Sequence, residues 1–216
     1  MSVARAELAG NDLQHRYGHR IGLRQVSFAV RSPGVVAIRG ANGAGKSTLL
    51  RVLAGLLRPT HGRATLRIDE REVPPAARRR WVGYAAPDLA FYLEFTVAEN
   101  LHFAAETRGD SDPAGSVRHA LERVGLRSRA ADRVSALSSG MLQRLRLAFA
   151  LLHDPAVLLL DEPGSHLDEE GKNTFEQLVE RERGGRLVVI ATNEEREWTL
   201  ADHSIELQGR GLGDPS

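Results

Sequence analysis

Gly40-Ala41-Asn42-Gly43-Ala44-Gly45-Lys46-Ser47 constrains this chain more than any other eight residues. It fits the pattern G-x-x-x-x-G-K-[ST] at every fixed position. Before it, Val35-Val36-Ala37-Ile38 is apolar and β-branched, as a buried parallel strand is. After it, Thr48 to Leu57 carries a helical pattern. The order is thus strand, glycine loop, helix. Glycines let the backbone curl until several N–H groups point at one phosphate group. The helix adds its positive N-terminus. In this setting Lys46 sits on the β- and γ-phosphates and Ser47 ligates Mg²⁺. The plain alternative is a flexible turn before an ordinary helix.

Composition narrows the setting. With 216 residues the chain holds one substantial domain, with room for a subdomain. The formal net charge of +1 selects neither nucleic acid nor an anionic membrane. Positive charge is nearly all arginine, since Lys46 and Lys172 are the only lysines, which singles out Lys46. Cysteine is absent, so disulfides and thiolate metal sites are excluded. The start, Met-Ser-Val-Ala-Arg-Ala-Glu, has no apolar secretion segment. No run approaches the ~20 apolar residues of a membrane span. The expectation is an intracellular protein that needs a spanning partner if it works at a membrane.

Along the chain, residues 5–30 alternate weakly around turn signals at Gly10-Asn11-Asp12 and Tyr17-Gly18-His19-Arg20. They read as two or three strands of an antiparallel layer, ending at Val26–Val30. Pro59–Gly62 closes the first helix, and Ala64–Ile68 rejoins that layer. Ala76–Arg80 is a short basic helical turn and Trp81–Ala85 a core strand. From Thr96 to about Leu152 the signals are helical. Thr96 with Glu99 fits a capping box; Gly109–Gly115 reads as a polar loop; further helices follow at about 117–124 and 139–152. Val157–Leu160 and Leu187–Ala191 are all-apolar central strands, with a helix from Glu169 to Arg183 between them.

The second strand-end motif is Leu158-Leu159-Leu160-Asp161-Glu162. An acid at the carboxyl end of a parallel strand beside a phosphate loop can hold the Mg²⁺ shell, which suits Asp161. Glu162, one residue on, is placed to polarise an attacking water as a general base. A surface Asp-Glu pair is the alternative. Ser138, Ser139 and Gly140 open a helix, either as an ordinary serine cap or as a phosphate site.

Taken together, the phosphate loop, Leu137-Ser-Ser-Gly-Met141, the acidic strand and Ser165-His-Leu-Asp168 resemble the ATP-binding subunit of ABC transporters. The resemblance runs from Leu13 to about Leu207. It implies a P-loop NTPase (RecA-like) α/β core with an antiparallel β layer and a helical subdomain inserted at about 88–152. That forms one ABC ATPase domain over 1–209, followed by a tail at 210–216. It implies ATP and Mg²⁺ as ligands. Tyr17 then matches the aromatic that stacks on adenine, and Gly40 to Thr48 the Walker A loop. Ser138, Ser139 and Gly140 match the signature that meets the γ-phosphate held by the opposite subunit. Asp161 matches the Walker B aspartate, Glu162 the catalytic glutamate and Asp168 the aspartate of the dimer interface. The implied partners are a second copy or a similar subunit, in a nucleotide-sandwich dimer, and a transmembrane permease. The implied location is cytoplasmic, on the inner face of the cell membrane.

Two departures stand out. Pro87, followed by Asp88, stands where the family has a glutamine, and Asn193 stands where it has a histidine. An asparagine amide can donate to a γ-phosphate but carries no titrating proton. Leu89, Phe91, Tyr92 and Phe95 form an apolar cluster in a loop, which is expected to be a groove for the permease unless it packs into the helical block. Ala86-Pro-Asp-Leu89, the serine signature and Ala191-Thr-Asn-Glu194 resemble the haem-exporter ATPases of cytochrome c maturation. Two other readings remain: a soluble ABC-type ATPase without transport, and an ATP-gated binding module with weak hydrolysis.

Overall fold

The structure, a computed structural model, describes residues 4–208; the expected boundary at 209 and the tail at 210–216 lie outside them. Two sheets carry the chain. The first is antiparallel, built from β1 (Ala6–Tyr17), β2 (Arg20–Arg31), β4 (His61–Ile68) and β5 (Arg71–Val73) in the order β2-β1-β4-β5. The second is parallel, built from β3 (Gly34–Arg39), β6 (Val82–Ala85), β7 (Val157–Asp161), β8 (Leu187–Ala191) and β9 (His203–Glu206) in the order β6-β7-β8-β3-β9.

The parallel strands read as continuous apolar runs because both sheet faces are covered. Leu158, Leu160, Val188 and Ile190 point to one core, and Val157, Leu159, Leu187 and Val189 to the other. The first core is closed by α2 (Val97–Thr107), α3 (Pro113–Arg123), α4 (Ser139–Leu151) and α5 (Glu169–Arg183). The second is closed by α1 (Lys46–Leu53) and the antiparallel layer. A one-turn helix, α6 (Glu195–Trp198), precedes β9. No helix among the described residues is long and apolar enough to cross a membrane.

Several local expectations change. Residues 5–30 form two strands, and Gly10-Asn11-Asp12 is a bulge inside β1 rather than a turn. Asp12 takes a left-handed conformation (φ 51°), and its carboxylate accepts from Gln25 (3.0 Å) and Ser27 (3.1 Å) of the neighbouring strand. That polar cluster lets the strand continue past the irregularity. The first helix ends at Leu53, not near Leu57. Gly55 turns left-handed (φ 79°) and Leu56 N–H bonds back to the Arg51 carbonyl, a glycine stop that outweighs the apolar pattern beyond it. The 109–115 loop is shorter than expected, because Asp112 caps Gly115 N–H (3.0 Å) and α3 starts on Pro113. The capping box at Thr96 forms, with both bonds present.

Candidate functional site

Three adjacent parallel strands end level with one another. Ile38 of β3 pairs with Ala191 of β8, which pairs with Asp161 of β7. The segments that follow these residues therefore emerge side by side: the glycine loop, Thr192-Asn193 and Glu162. The carboxyl edge of a parallel sheet is where open α/β folds gather their polar groups.

The loop winds from Gly40 to Ser47 into the N-terminus of α1. Gly45 has φ 102°, and a Cβ there would lie 2.5 Å from the Gly22 carbonyl oxygen of β2. Only glycine meets both demands. A cavity of about 240 Å³ opens in front of the loop. Lys46, Ser47, Thr48, Tyr17, Arg51 and Glu162 line it. Asn42 and Gly43 of the loop line it too.

Lys46 is buried, and its ammonium is held at 2.9 Å by the Gly40 carbonyl and at 2.8 Å by Asn193 Oδ1. Glu162 Oε1 lies 4.0 Å away. Burial pushes the lysine's pKa down, while Glu162 and Asp161 push it back up. Within the Asn193 side chain only the amide oxygen can accept from an ammonium, so the amide faces Lys46 with its acceptor side. Its NH₂ turns to Asn42 Oδ1. The expected role, an amide donor to the γ-phosphate, concerns the same side chain, whose amide here is engaged by Lys46 and Asn42. In this arrangement it holds the lysine.

Asp161 is buried, and its Oδ1 has no partner among the described residues. Its Oδ2 accepts from the Tyr84 hydroxyl at 3.5 Å. Burial pushes the Asp161 pKa up, against a bond from the Ser47 hydroxyl, and Glu162 adds to the rise. A buried, unpaired carboxylate oxygen beside a serine hydroxyl fits a hard divalent cation. No cluster of three or more His, Cys, Asp or Glu among the described residues forms a self-sufficient metal cage. A cation here would take further oxygens from a ligand's phosphates, as Mg²⁺ does.

Glu162 has φ 48°, an uncommon conformation for a non-glycine residue. Three bonds hold it: its N–H to the Ala191 carbonyl (2.8 Å), and Ser165 Oγ (2.8 Å) and Gln143 Nε2 (3.4 Å) to its carbonyl. Gln143 also donates to the Pro163 carbonyl (3.1 Å). Buried on α4, this glutamine was not evident from sequence; a polar residue on the core side of a helix is the only hint it leaves.

Ser138, Ser139, Gly140 and Asp168 do not line the cavity. Ser138 accepts from Met141 N–H (3.2 Å) and caps α4, while Asp168 accepts from Gly171 N–H (2.8 Å) and caps α5. Asp88 pairs with Arg51 at 2.8 Å, which ties the loop after Pro87 to the cavity wall. Of the apolar loop residues, Phe91 packs edge-on against Phe149, and Leu89 is half-buried. Tyr92 and Phe95 stay exposed, with Leu93 and Phe103 beside them in sequence or in space.

The profile of the ABC transporter family matches residues 23–165, which include the loop, the serine-glycine signature and the acidic strand. The chain belongs to the ABC transporter family. An uncharacterized ABC transporter ATP-binding protein of Bacillus subtilis, YxlF, is 44% identical over 158 residues, 72% of this chain and 52% of its own. A probable anion import ATP-binding protein of Haloferax volcanii is 33% identical over 211 residues, 88% of this chain and 73% of its own. This ABC chain therefore spans about half the length of the first relative. In fold it is similar to the dimeric bacterial ABC transporter cassette MJ0796, with a TM-score of 0.82 at 21% identity, covering 93% of this chain and 94% of that one.

Proposed function

We propose that the chain is an ATP-binding and ATP-hydrolysing subunit that powers a membrane ABC transporter. The observation that carries the reading is the convergence of Lys46, Ser47 and Glu162 on one cavity, with buried Asp161 bonded to Ser47. Lys46 and the loop amides bind the β- and γ-phosphates, and Asn193 orients the lysine. Tyr17 offers a ring for the base. Ser47 and Asp161 hold Mg²⁺, which supplies charge neutralisation at the transferring phosphate when bound. Glu162 accepts the proton of the attacking water.

Exposed Ser138 and Ser139, with the half-buried Gly140, serve the nucleotide of a second subunit, and Asp168 lies at that contact. The unit is then a sandwich dimer of this chain with itself or a similar subunit. The exposed Tyr92, Leu93 and Phe95 dock on a cytoplasmic segment of a transmembrane permease, which places the chain on the inner face of the membrane. One domain over 1–209, with the helical block as its inserted subdomain, is the organisation this reading uses.

Glu162→Gln tests it. The substitution keeps shape and removes the base, so turnover should drop about 10²–10⁴-fold, while calorimetry still reports ATP binding and a nucleotide-bridged dimer accumulates. Normal turnover sinks the base role. Negligible turnover in the unsubstituted protein favours the ATP-gated binding module. Co-purification with a permease separates the transporter from the soluble ATPase. The narrower assignment to haem export rests on three short segments alone. Failure of c-type cytochromes to lose haem when the chain is deleted removes it.

A further inference from the structure

Glu197 lies outside the cavity, but its carboxyl is wedged behind the two turns that carry Glu162 and Asn193. The residue is 3% exposed. A Cβ on Gly164 would lie 1.9 Å from Glu197 Oε1, so the carboxyl rests directly on the backbone of the 162–165 turn. Thr192, just after β8, is its polar neighbour on the other side; the Thr192 hydroxyl and the Gly164 backbone both favour the ionised carboxyl. Neither carboxyl oxygen completes a hydrogen bond among the described residues.

The charges around it do not compensate. Glu194 and Glu162 both face it with negative charge. The nearby cations are paired elsewhere. Lys172 of α5 meets Glu194 (3.6 Å), Arg196 is bound by Glu169, Glu176 and Asn173 of α5, and Arg39 of β3 stacks on Trp198 at 4.0 Å. A carboxylate buried without a partner takes up a proton instead. Burial first, with Glu194 and Glu162, outweighs the opposing pull of the Thr192 hydroxyl and the Gly164 backbone and pushes Glu197 up to about 7.

We propose that Glu197 is a positioning residue that works as a protonated carboxyl. Neutral, it fits between the Gly164 and Thr192 turns and fixes the spacing of Glu162 and Asn193; ionised, it draws in water and spreads them. The catalytic consequence rests on the roles given above to Glu162 and Asn193. The structural consequence does not.

The reporter is at hand. Trp198 adjoins Glu197, and its indole N–H donates to the Thr192 carbonyl (3.3 Å). In a Trp81→Phe background Trp198 is the only tryptophan. Its emission should titrate with a midpoint near 7, and the titration should vanish in Glu197→Gln. The amides of Glu162, Gly164 and Ser165 and of residues 192–195 in the unsubstituted protein should open about tenfold more often at about pH 8.5 than at about pH 6, following the ionised fraction. Turnover should fall across the same range and stay flat in Glu197→Gln, which matches the unsubstituted protein at the acid end within about twofold. A fluorescence titration that persists in Glu197→Gln overturns the proposal. So does amide opening that ignores pH, which alone decides the matter if the variant does not fold. Fluorescence and exchange that respond while turnover does not would keep the wedge and overturn the roles of Glu162 and Asn193.

Discussion

Asn193 shows how a single side chain is read differently once its neighbours are known. In sequence it is a donor standing where the family has a histidine. In the structure its oxygen receives Lys46 at 2.8 Å, the contact behind the proposed role of aiming that cation. Asn193→Ala frees the ammonium. A hydrogen bond to a charged group is worth roughly 1.5–3 kcal/mol, so turnover should fall about 10–150-fold if the aim matters in the transition state. Asn193→Asp sets a carboxylate against the same lysine and competes with phosphate. ATP affinity should then drop by at least about tenfold by calorimetry, the effect of some 1.4 kcal/mol. Equal affinity in both variants would refute the aiming role. The residues legible from sequence were those that sit next to one another in the chain: the loop, and Asp161 with Glu162. Gln143, Arg51 and Glu197 were not legible, because each acts across 19 to 37 positions or through burial that no local pattern records.

At the scale of elements, legibility followed burial. The strands β7 and β8 were readable because both faces are covered, leaving unbroken apolar runs. The helix α5 was readable at both ends, from its Asp168 cap to Arg183. Where periodicity and a local stop conflicted, as at Gly55, the stop won, since a left-handed glycine satisfies the last carbonyls of a helix. In β1 the bulge was hidden, because Gly-Asn-Asp is equally a turn and only the partners on β2 decide between them. Leu160 is fully buried immediately before Asp161 and belongs to the helical core. Leu160→Ala should therefore cost about 2–5 kcal/mol by chemical denaturation. It should also weaken the site, because the strand end carries both acids. A loss below about 1 kcal/mol would mean that the helical core does not brace this strand.

For the whole molecule, a buried carboxyl and a half-buried imidazole pull stability in opposite directions with pH. Burial and Arg108 hold His153 down at about 4, below its usual 6.5. The unfolded chain binds that proton more readily, so the group costs stability as pH falls through this window. Glu197 is held up at about 7, against an ordinary 4.5. There the folded chain binds the proton more readily, so stability is lost as pH rises from 4.5 to 7. The two slopes nearly cancel between 4.5 and 6.5. Glu197→Gln removes one of them. Relative to the unsubstituted protein, the variant should gain about 3 kcal/mol as pH rises through this window, read from urea midpoints. A gap that does not change with pH would contradict the burial assigned to this carboxyl.

The carbonyl of Gly22 belongs to the antiparallel sheet, yet it presses on Gly45 in the phosphate loop. The socket for the anion is thus a seam between two sheets, with one lip supplied by each. Any motion that parts the sheets removes a wall of the socket, and an anion held in the seam staples them together.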